Sequence, residues 1–135
     1  MRGMWIAAAM SFALVAPPVV AAPAASLLNV LPKAVNGALT PLFTGNAIAQ
    51  AGLNGQRKGT PSSVFAQVKQ ALIAAGYSEQ PIRTTIGAWG FSATWAPPSG
   101  VTVDGTAAGK TAVLVTQGTA LGPELVNLNV RFEGI

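Results

Sequence analysis

The chain has 135 residues, of which 50% are hydrophobic and only 9% are charged, with a formal net charge of +4. An average soluble domain carries about 25% charged residues, so the charge content is low. Disordered chains combine low hydrophobicity with high net charge, and this composition therefore excludes a largely disordered protein. At this length we expect a single domain.

Two residue types are missing altogether, because the chain contains no histidine and no cysteine. Nucleophile systems of the Ser-His and Cys-His type are therefore excluded. Zinc sites built from Cys and His, blue copper, iron–sulfur clusters and haem with a His or Cys ligand are excluded for the same reason. We expect no cofactor, no metal site and no enzymatic activity. The few basic residues are spread along the chain, so we expect no nucleic-acid partner.

The N-terminal residues predict an export signal. Arg2 supplies a positive charge, and residues 4–16 form an apolar run that is interrupted only by Ser11. Two prolines follow, and they end any helix. This succession is typical of a secretory signal peptide. The alternative is a membrane anchor, but a spanning helix needs about 20 apolar residues and the prolines cut the run short.

Small residues after the prolines indicate where the signal is cleaved. An Ala-x-Ala triplet lies at 22–24, and we predict a signal peptide over 1–24, cleaved between Ala21 and Ala25. A second such triplet at 47–49 is the alternative, although it would give a leader longer than the usual length of about 15–30 residues. The style of the signal predicts a periplasmic or secreted bacterial protein.

Residues 25–59 give the weakest pattern, because prolines and glycines interrupt their short apolar pieces. Short helices are expected around 33–39 and 46–53. A polar turn is expected at 54–59, with its adjacent arginine and lysine in solvent. We assign the whole segment to an irregular or short-helical region rich in alanine, glycine and proline.

The clearest element is a helix at 61–76. Thr60 is a suitable N-cap, and Pro61 occupies the first helical position, where a missing N–H costs nothing. Gly76 is suited to the left-handed conformation that ends a helix. Apolar residues recur at steps of three and four, which places on one face Val64, Phe65, Val68, Leu72 and Ala75. That face must be buried against another element.

The rest of the chain has strand patterns. Apolar and polar residues alternate at 82–86 and 89–95, and the parity changes near Gly87, which predicts a bulge or a tight turn. Further strands are predicted at 101–103, 110–117 and 126–133. The last of these has one apolar and one polar face, which is typical of a sheet covered on one side. We predict a small α+β domain over 60–135, in which the helix packs on an antiparallel meander of three to five strands.

Two candidate chemical sites are weak. Residues 105–111 are similar to a phosphate-binding loop, but they have three residues between the glycines where four are needed, and a strand follows instead of a helix. A hairpin loop is the better interpretation. The acidic residues do not converge in the predicted fold. An enzyme would need a pocket that joins Glu79, Asp104 or Glu124 to Arg83 or Lys110.

Aromatic residues carry the one candidate binding surface. Trp89, Phe91 and Trp95 alternate along one strand, and an exposed row would stack on sugars, peptides or bases. Tyr77 and Arg83 complete this surface. The interpretation that we favour places the row in the core, opposite the apolar stripe of the helix, and a further irregularity in the strand would leave one tryptophan exposed.

We therefore expect an exported, non-enzymatic binding or accessory protein of the bacterial envelope. Its partner would be a protein or peptide that binds an exposed sheet face or an edge strand. The alternative is a structural or membrane-associated envelope protein. In that case the apolar residues 25–53 would contact a membrane peripherally or pack between subunits.

Overall fold

A computed structural model describes residues 20–44, 51–106 and 110–134. They form a mixed α+β fold, with a mostly antiparallel arrangement of strands and few helices. The predicted α+β class is confirmed at this level. Most of the predicted signal peptide, residues 1–19, lies outside the described residues, as do residues 107–109 of the loop that is similar to a phosphate-binding loop.

The elements of the described residues are, in chain order, β1 (Val20–Ala22), α1 (Ala24–Asn29), α2 (Lys33–Asn36), β2 (Thr40–Thr44), β3 (Ala51–Lys58), α3 (Pro61–Ala74), β4 (Ser78–Glu79), a 3-10 helix (Pro81–Arg83), β5 (Thr85–Gly87), β6 (Gly90–Ala96), β7 (Val101–Val103), β8 (Ala112–Gly122) and β9 (Leu125–Gly134). The large sheet has seven strands in the order β2-β3-β9-β8-β6-β4, and β5 also pairs with β6. β1 and β7 form a separate parallel pair.

Helix α3 begins as its sequence predicts. The Thr60 hydroxyl accepts a hydrogen bond from the Ser63 N–H at 3.2 Å, and the Ser63 hydroxyl accepts one from the Thr60 N–H at 2.9 Å. This reciprocal cap satisfies two backbone donors at the helix start. Gly76, with a φ of +93°, follows the last turn. Two short helices, α1 and α2, precede it in the segment for which short helices were expected.

The helices pack on one face of the large sheet, which we call the inner face. Strand β9 contributes alternate residues that are fully buried there, namely Val126, Leu128, Val130 and Phe132. From β6, the ring of Phe91 lies 5.3 Å from that of Phe65 in α3, measured between centroids. The Trp95 indole N–H donates to the Thr116 hydroxyl at 3.0 Å, and both residues are fully buried. The core therefore satisfies the polar atom of its largest side chain.

Strand β3 is the main departure from the sequence prediction. Residues 51–53 are not helical and residues 54–58 are not a turn, because the segment Ala51–Lys58 is a strand whose residues 52–58 pair with β9. The alternation of apolar and polar residues that predicts a strand is hidden in this segment, because glycines stand among its few apolar residues and its polar residues. Its partner is distant in sequence, and strand formation depends on such tertiary context. The sheet is consequently larger than a meander of three to five strands, and it begins before residue 60.

Arg57 has a structural role that the sequence prediction of a solvated loop missed. Its Nη1 donates to the Ala34 carbonyl at 2.6 Å and its Nε to the Gly37 carbonyl at 3.1 Å, while Nη2 donates to the carbonyls of Val35 and Gly37. These carbonyls belong to the C-terminal end of α2, where helix carbonyls lack internal partners. Burial lowers the pKa of Arg57, but an arginine remains charged in a protein.

We predict that Arg57→Lys lowers the free energy of unfolding by about 1.5–3 kcal/mol, because a lysine cannot reproduce the fork of donors. The adjacent Lys58 is exposed, and Lys58→Ala should change stability by less than about 0.5 kcal/mol. Urea unfolding of both variants measures the difference. Equal losses for the two variants would contradict the capping role of Arg57.

A second prediction concerns Gly118 in β8, which faces Phe91 across the strand pair. A Cβ at this position would overlap the Phe91 ring, and that ring is fully buried. We expect Gly118→Ala to cost about 1–3 kcal/mol. At Gly122, in the same strand, an added Cβ meets nothing within 4 Å. Gly122→Ala should therefore be neutral or stabilising by up to about 1 kcal/mol. Thermal unfolding that ranks the two variants in the opposite order would refute this packing.

Candidate functional site

The structure separates the five residues that the sequence analysis grouped as a binding surface. Phe91 and Trp95 are fully buried, and Tyr77 is only 8% exposed, whereas Trp89 is 54% exposed. Arg83 is exposed at the end of the 3-10 helix. The core interpretation therefore describes Phe91 and Trp95, whereas Trp89 lies outside the core.

The change of parity near Gly87 explains this separation. Gly87 pairs with Gly90, so Ala88 and Trp89 form a tight turn between β5 and β6. A Cβ on Gly87 would lie 2.8 Å from the Trp89 Nε1, which places the indole over this glycine. Thr85 and Gly87 alternate with Ile86, which faces the inner side of the sheet, so they face the opposite side. The Trp89 indole that covers Gly87 therefore lies on the side of the sheet opposite the helices. We call that side the outer face.

The outer face carries a connected set of polar side chains from β6, β8 and β9. Arg131 is at its centre. Its Nη1 donates to the Gln117 Oε1 at 2.7 Å and to the Asn129 Oδ1 at 2.9 Å, and its Nε donates to the Glu133 Oε2 at 2.6 Å. Gln117 in turn donates to the Ser92 hydroxyl at 3.5 Å. These bonds fix the guanidinium and the amides in one arrangement.

A second polar contact extends this surface to β3. The Asn127 Nδ2 donates to the Asn54 Oδ1 at 3.0 Å. Gln56 and Thr119 lie opposite Asn127 on the two neighbouring strands, and both are exposed. The outer face thus presents amide and hydroxyl groups across four adjacent strands. Towards its other end, the outward-facing residues Thr94, Val113 and Val115 are buried.

The sequence predicted part of this surface. The polar alternation of the last strand indicated that Asn127, Asn129, Arg131 and Glu133 share a wet face. It did not indicate that Gln117 and Ser92 join them, because the connecting bonds run between side chains of different strands, from β9 to β8 and from β8 to β6. The arrangement offers fixed donors and acceptors for binding. Glu133 is held by Arg131 in an ion pair, and the side chains of Glu133 and Arg131 are 38% and 31% exposed.

The acidic residues considered for catalysis are dispersed. Glu79 pairs with Lys69 at 2.9 Å, and this hydrogen bond lowers the pKa of Glu79 below its usual value. Asp104 and Lys110 both line an open cleft of about 550 Å³ beside β7. They are the only charged residues among the described residues lining that cleft, and both are exposed. The cleft thus contains one acidic and one basic residue of the set that an enzyme would need, but no ion pair between described residues joins their side chains.

A smaller cleft of about 190 Å³ has an apolar lining. It lies between the α1–α2 connection, the end of α3 and the loop after β6, and it includes Tyr77, Pro98 and Val101. Within the ranges that the structure describes, no cluster of three or more Asp, Glu, His or Cys residues is placed to hold a metal ion. No helix in those ranges has the length and apolar character needed to cross a membrane.

Comparison with protein-family models, with curated proteins and with solved structures finds no match to this chain. Its function must therefore be argued from the two faces of the sheet and from the clefts.

Tyr77 gives a test of how firmly the apolar cleft is built. Burial raises the pKa of the Tyr77 phenol, so the folded state holds its proton more tightly than the unfolded state, in which the pKa is about 10. The contribution of the Tyr77 phenol to stability is therefore fully present below its unfolded-state pKa, and it is lost as pH rises through its folded-state pKa.

We predict that the free energy of unfolding falls more steeply above about pH 10 in the wild type than in Tyr77→Phe, which keeps the ring and removes the ionisation. The comparison cancels the titration of the lysines. Tyr77 is the only tyrosine of the chain, so the absorbance of its phenolate follows the same event directly. Parallel stability curves for the two proteins would show that the phenol is not held in a buried site.

Proposed function

We propose that the chain is an exported, non-enzymatic binding or accessory protein of the bacterial envelope, and that it binds a protein or peptide partner on its outer face. The observation that carries the proposal is the polar network centred on Arg131, with the exposed Trp89 at its rim. Fixed polar groups beside an exposed aromatic residue are typical of protein interfaces, where tryptophan and arginine supply much of the binding energy.

The two edges of the large sheet favour binding of the partner on the outer face over addition of a partner strand to this sheet. At one edge, β2 contains Pro41 and a register shift against β3. At the other edge, β4 and β5 have two and three residues, and a 3-10 helix that begins with Pro81 separates them. Prolines, irregularities and short strands are the features that prevent pairing with another chain.

The burial of α1 and α2 supports cleavage near residue 24 over cleavage at 47–49. Leu28 in α1 and Val35 in α2 are fully buried, and both lie after residue 24. Cleavage at 47–49 would remove α1, α2 and β2 together. Burial of each large apolar side chain contributes about 1.5–3 kcal/mol, and a domain is stable by only about 5–15 kcal/mol. Cleavage between Ala21 and Ala25 keeps the buried Leu28 and Val35 in the processed chain.

The same burial weakens the alternative of a membrane-associated envelope protein. Leu28, Leu31 and Val35 face the core, and among residues 25–41 and 51–53, whose burial the structure describes, Val30 is the large apolar residue that is exposed, at 77%. In that part of the segment a single exposed valine is a small apolar surface for membrane contact. We therefore place this alternative second.

The experiment uses one substitution at two places. Gln56 is exposed on the outer face and Gln67 is exposed on α3. The full chain and the variants Gln56→Arg and Gln67→Arg are expressed with a C-terminal tag in a bacterial host, and partners are captured by cross-linking in the isolated envelope fraction. We expect Gln56→Arg to reduce the recovered partner roughly tenfold, because a bulky cation disrupts a packed interface. Gln67→Arg should behave as the wild type.

Trp89→Ala tests the aromatic rim in the same assay, and it should also reduce recovery, because truncation of an interface tryptophan is costly. Cell fractionation and the intact mass of the purified protein test export. Equal recovery by both glutamine variants would overturn binding on the outer face. A chain that stays in the cytoplasm with its first residues intact would overturn export.

A further inference from the structure

The apolar cleft of about 190 Å³ between α1, the end of α3 and the loop after β6 has fixed walls. At the end of α1, the carbonyls of Leu28 and Asn29 accept hydrogen bonds from the Asn36 Nδ2 at 3.0 and 3.1 Å, which hold the connection between α1 and α2. In the loop after β6, Pro98 packs on Gly76, where a Cβ would lie 3.1 Å from the Pro98 Cγ. Ligand pockets are usually formed in this way before the ligand binds.

Tyr77 contributes the polar group of this cleft, because the other described residues that line it have apolar side chains. Its N–H donates to the Leu72 carbonyl at 2.9 Å, so its backbone is held at the end of α3. Tyr77 is only 8% exposed, and within the described ranges no group forms a hydrogen bond with its hydroxyl. A buried tyrosine O–H usually has a partner, and leaving it without one costs free energy. A ligand with an acceptor atom would supply that partner.

The remaining lining indicates a ligand that is apolar and neutral. Val30 lines the cleft and is 77% exposed. A ligand in the cleft would cover part of this side chain, and burial of apolar surface favours binding. Among the described residues that line the cleft none is charged, so an ionised ligand would lose its hydration without gaining a counter-charge.

The volume of the cleft limits the size of the ligand. An engineered apolar cavity of about 150 Å³ binds benzene, and this cleft of about 190 Å³ is slightly larger. Pockets for drug-sized ligands have volumes of about 300–1,000 Å³. The cleft therefore fits a molecule with a single ring or a short chain.

We propose that this cleft binds a small, neutral and mostly apolar molecule that carries one carbonyl oxygen, and that this oxygen accepts a hydrogen bond from the Tyr77 hydroxyl. A carbonyl oxygen fits because it is an acceptor without a charge. The residues that line the cleft all follow residue 24, and none of them belongs to the outer face. The site is therefore separate from the proposed interface and does not depend on removal of the signal peptide.

The test compares two probes of the same shape. Cyclohexanone carries a carbonyl oxygen where methylenecyclohexane carries a methylene group. Each probe is titrated into the purified protein, and the shifts of backbone amides at the cleft are followed by nuclear magnetic resonance. Both probes should bind saturably. Tyr77→Phe keeps the ring and removes the donor, so it should weaken cyclohexanone roughly fivefold to tenfold and change methylenecyclohexane by less than about twofold.

Two neighbouring alanines at the end of α3 test the location. Ala75 lines the cleft and Ala74 does not, and both are exposed. Ala75→Phe adds a ring at the cleft and should weaken both probes by roughly tenfold or more, because the space for the ligand is filled. Ala74→Phe should bind both probes as the wild type does. Circular dichroism checks that each variant is folded.

Three results would overturn the inference. The first is the absence of saturable shifts at the cleft with cyclohexanone. The second is an equal loss of affinity for the two probes in Tyr77→Phe, and the third is equal binding by the two alanine variants. None of these results bears on binding at the outer face, which is tested by other residues.

Discussion

The contact of Arg57 with the end of α2 is the interaction on which the arrangement of the N-terminal half depends. It joins a helix to a strand about twenty residues later in the chain, at carbonyls of Ala34, Val35 and Gly37. Because β3 pairs with β9 along its length, the same contact fixes α1 and α2 over the inner face. The apolar cleft beside Tyr77 is formed partly by the connection between these helices, so its shape follows from this contact.

Close packing on the inner face and hydrogen bonding on the outer face give the sheet two different chemistries. On the inner side, the Phe91 ring covers Gly118, and the Trp95 indole is satisfied by Thr116. On the outer side, Arg131 is held by side chains of its own strand and of β8. The partner that we propose for the outer face would therefore meet side chains that are already ordered, which reduces the entropic cost of association.

The sequence predicted the elements whose signals are local. Helix α3 has its cap and its apolar stripe within one segment, and β9 alternates without interruption. Strand β3 was missed because its evidence lies in β9, and the role of Arg57 was missed because its partners are backbone carbonyls with no residue signature. The aromatic row was resolved only by the turn at Gly87, which places Trp89 on the outer face and Phe91 in the core. The candidate site could thus be predicted as a polar face, but not as a network.

The burial of Ala24 constrains when processing occurs relative to folding. A protease requires an accessible, extended substrate, but residues 20–22 are paired with β7 and Ala24 is fully buried at the start of α1. On the proposed export, cleavage at 22–24 would therefore precede the completion of this part of the fold, or it would require β1 and the first turn of α1 to open.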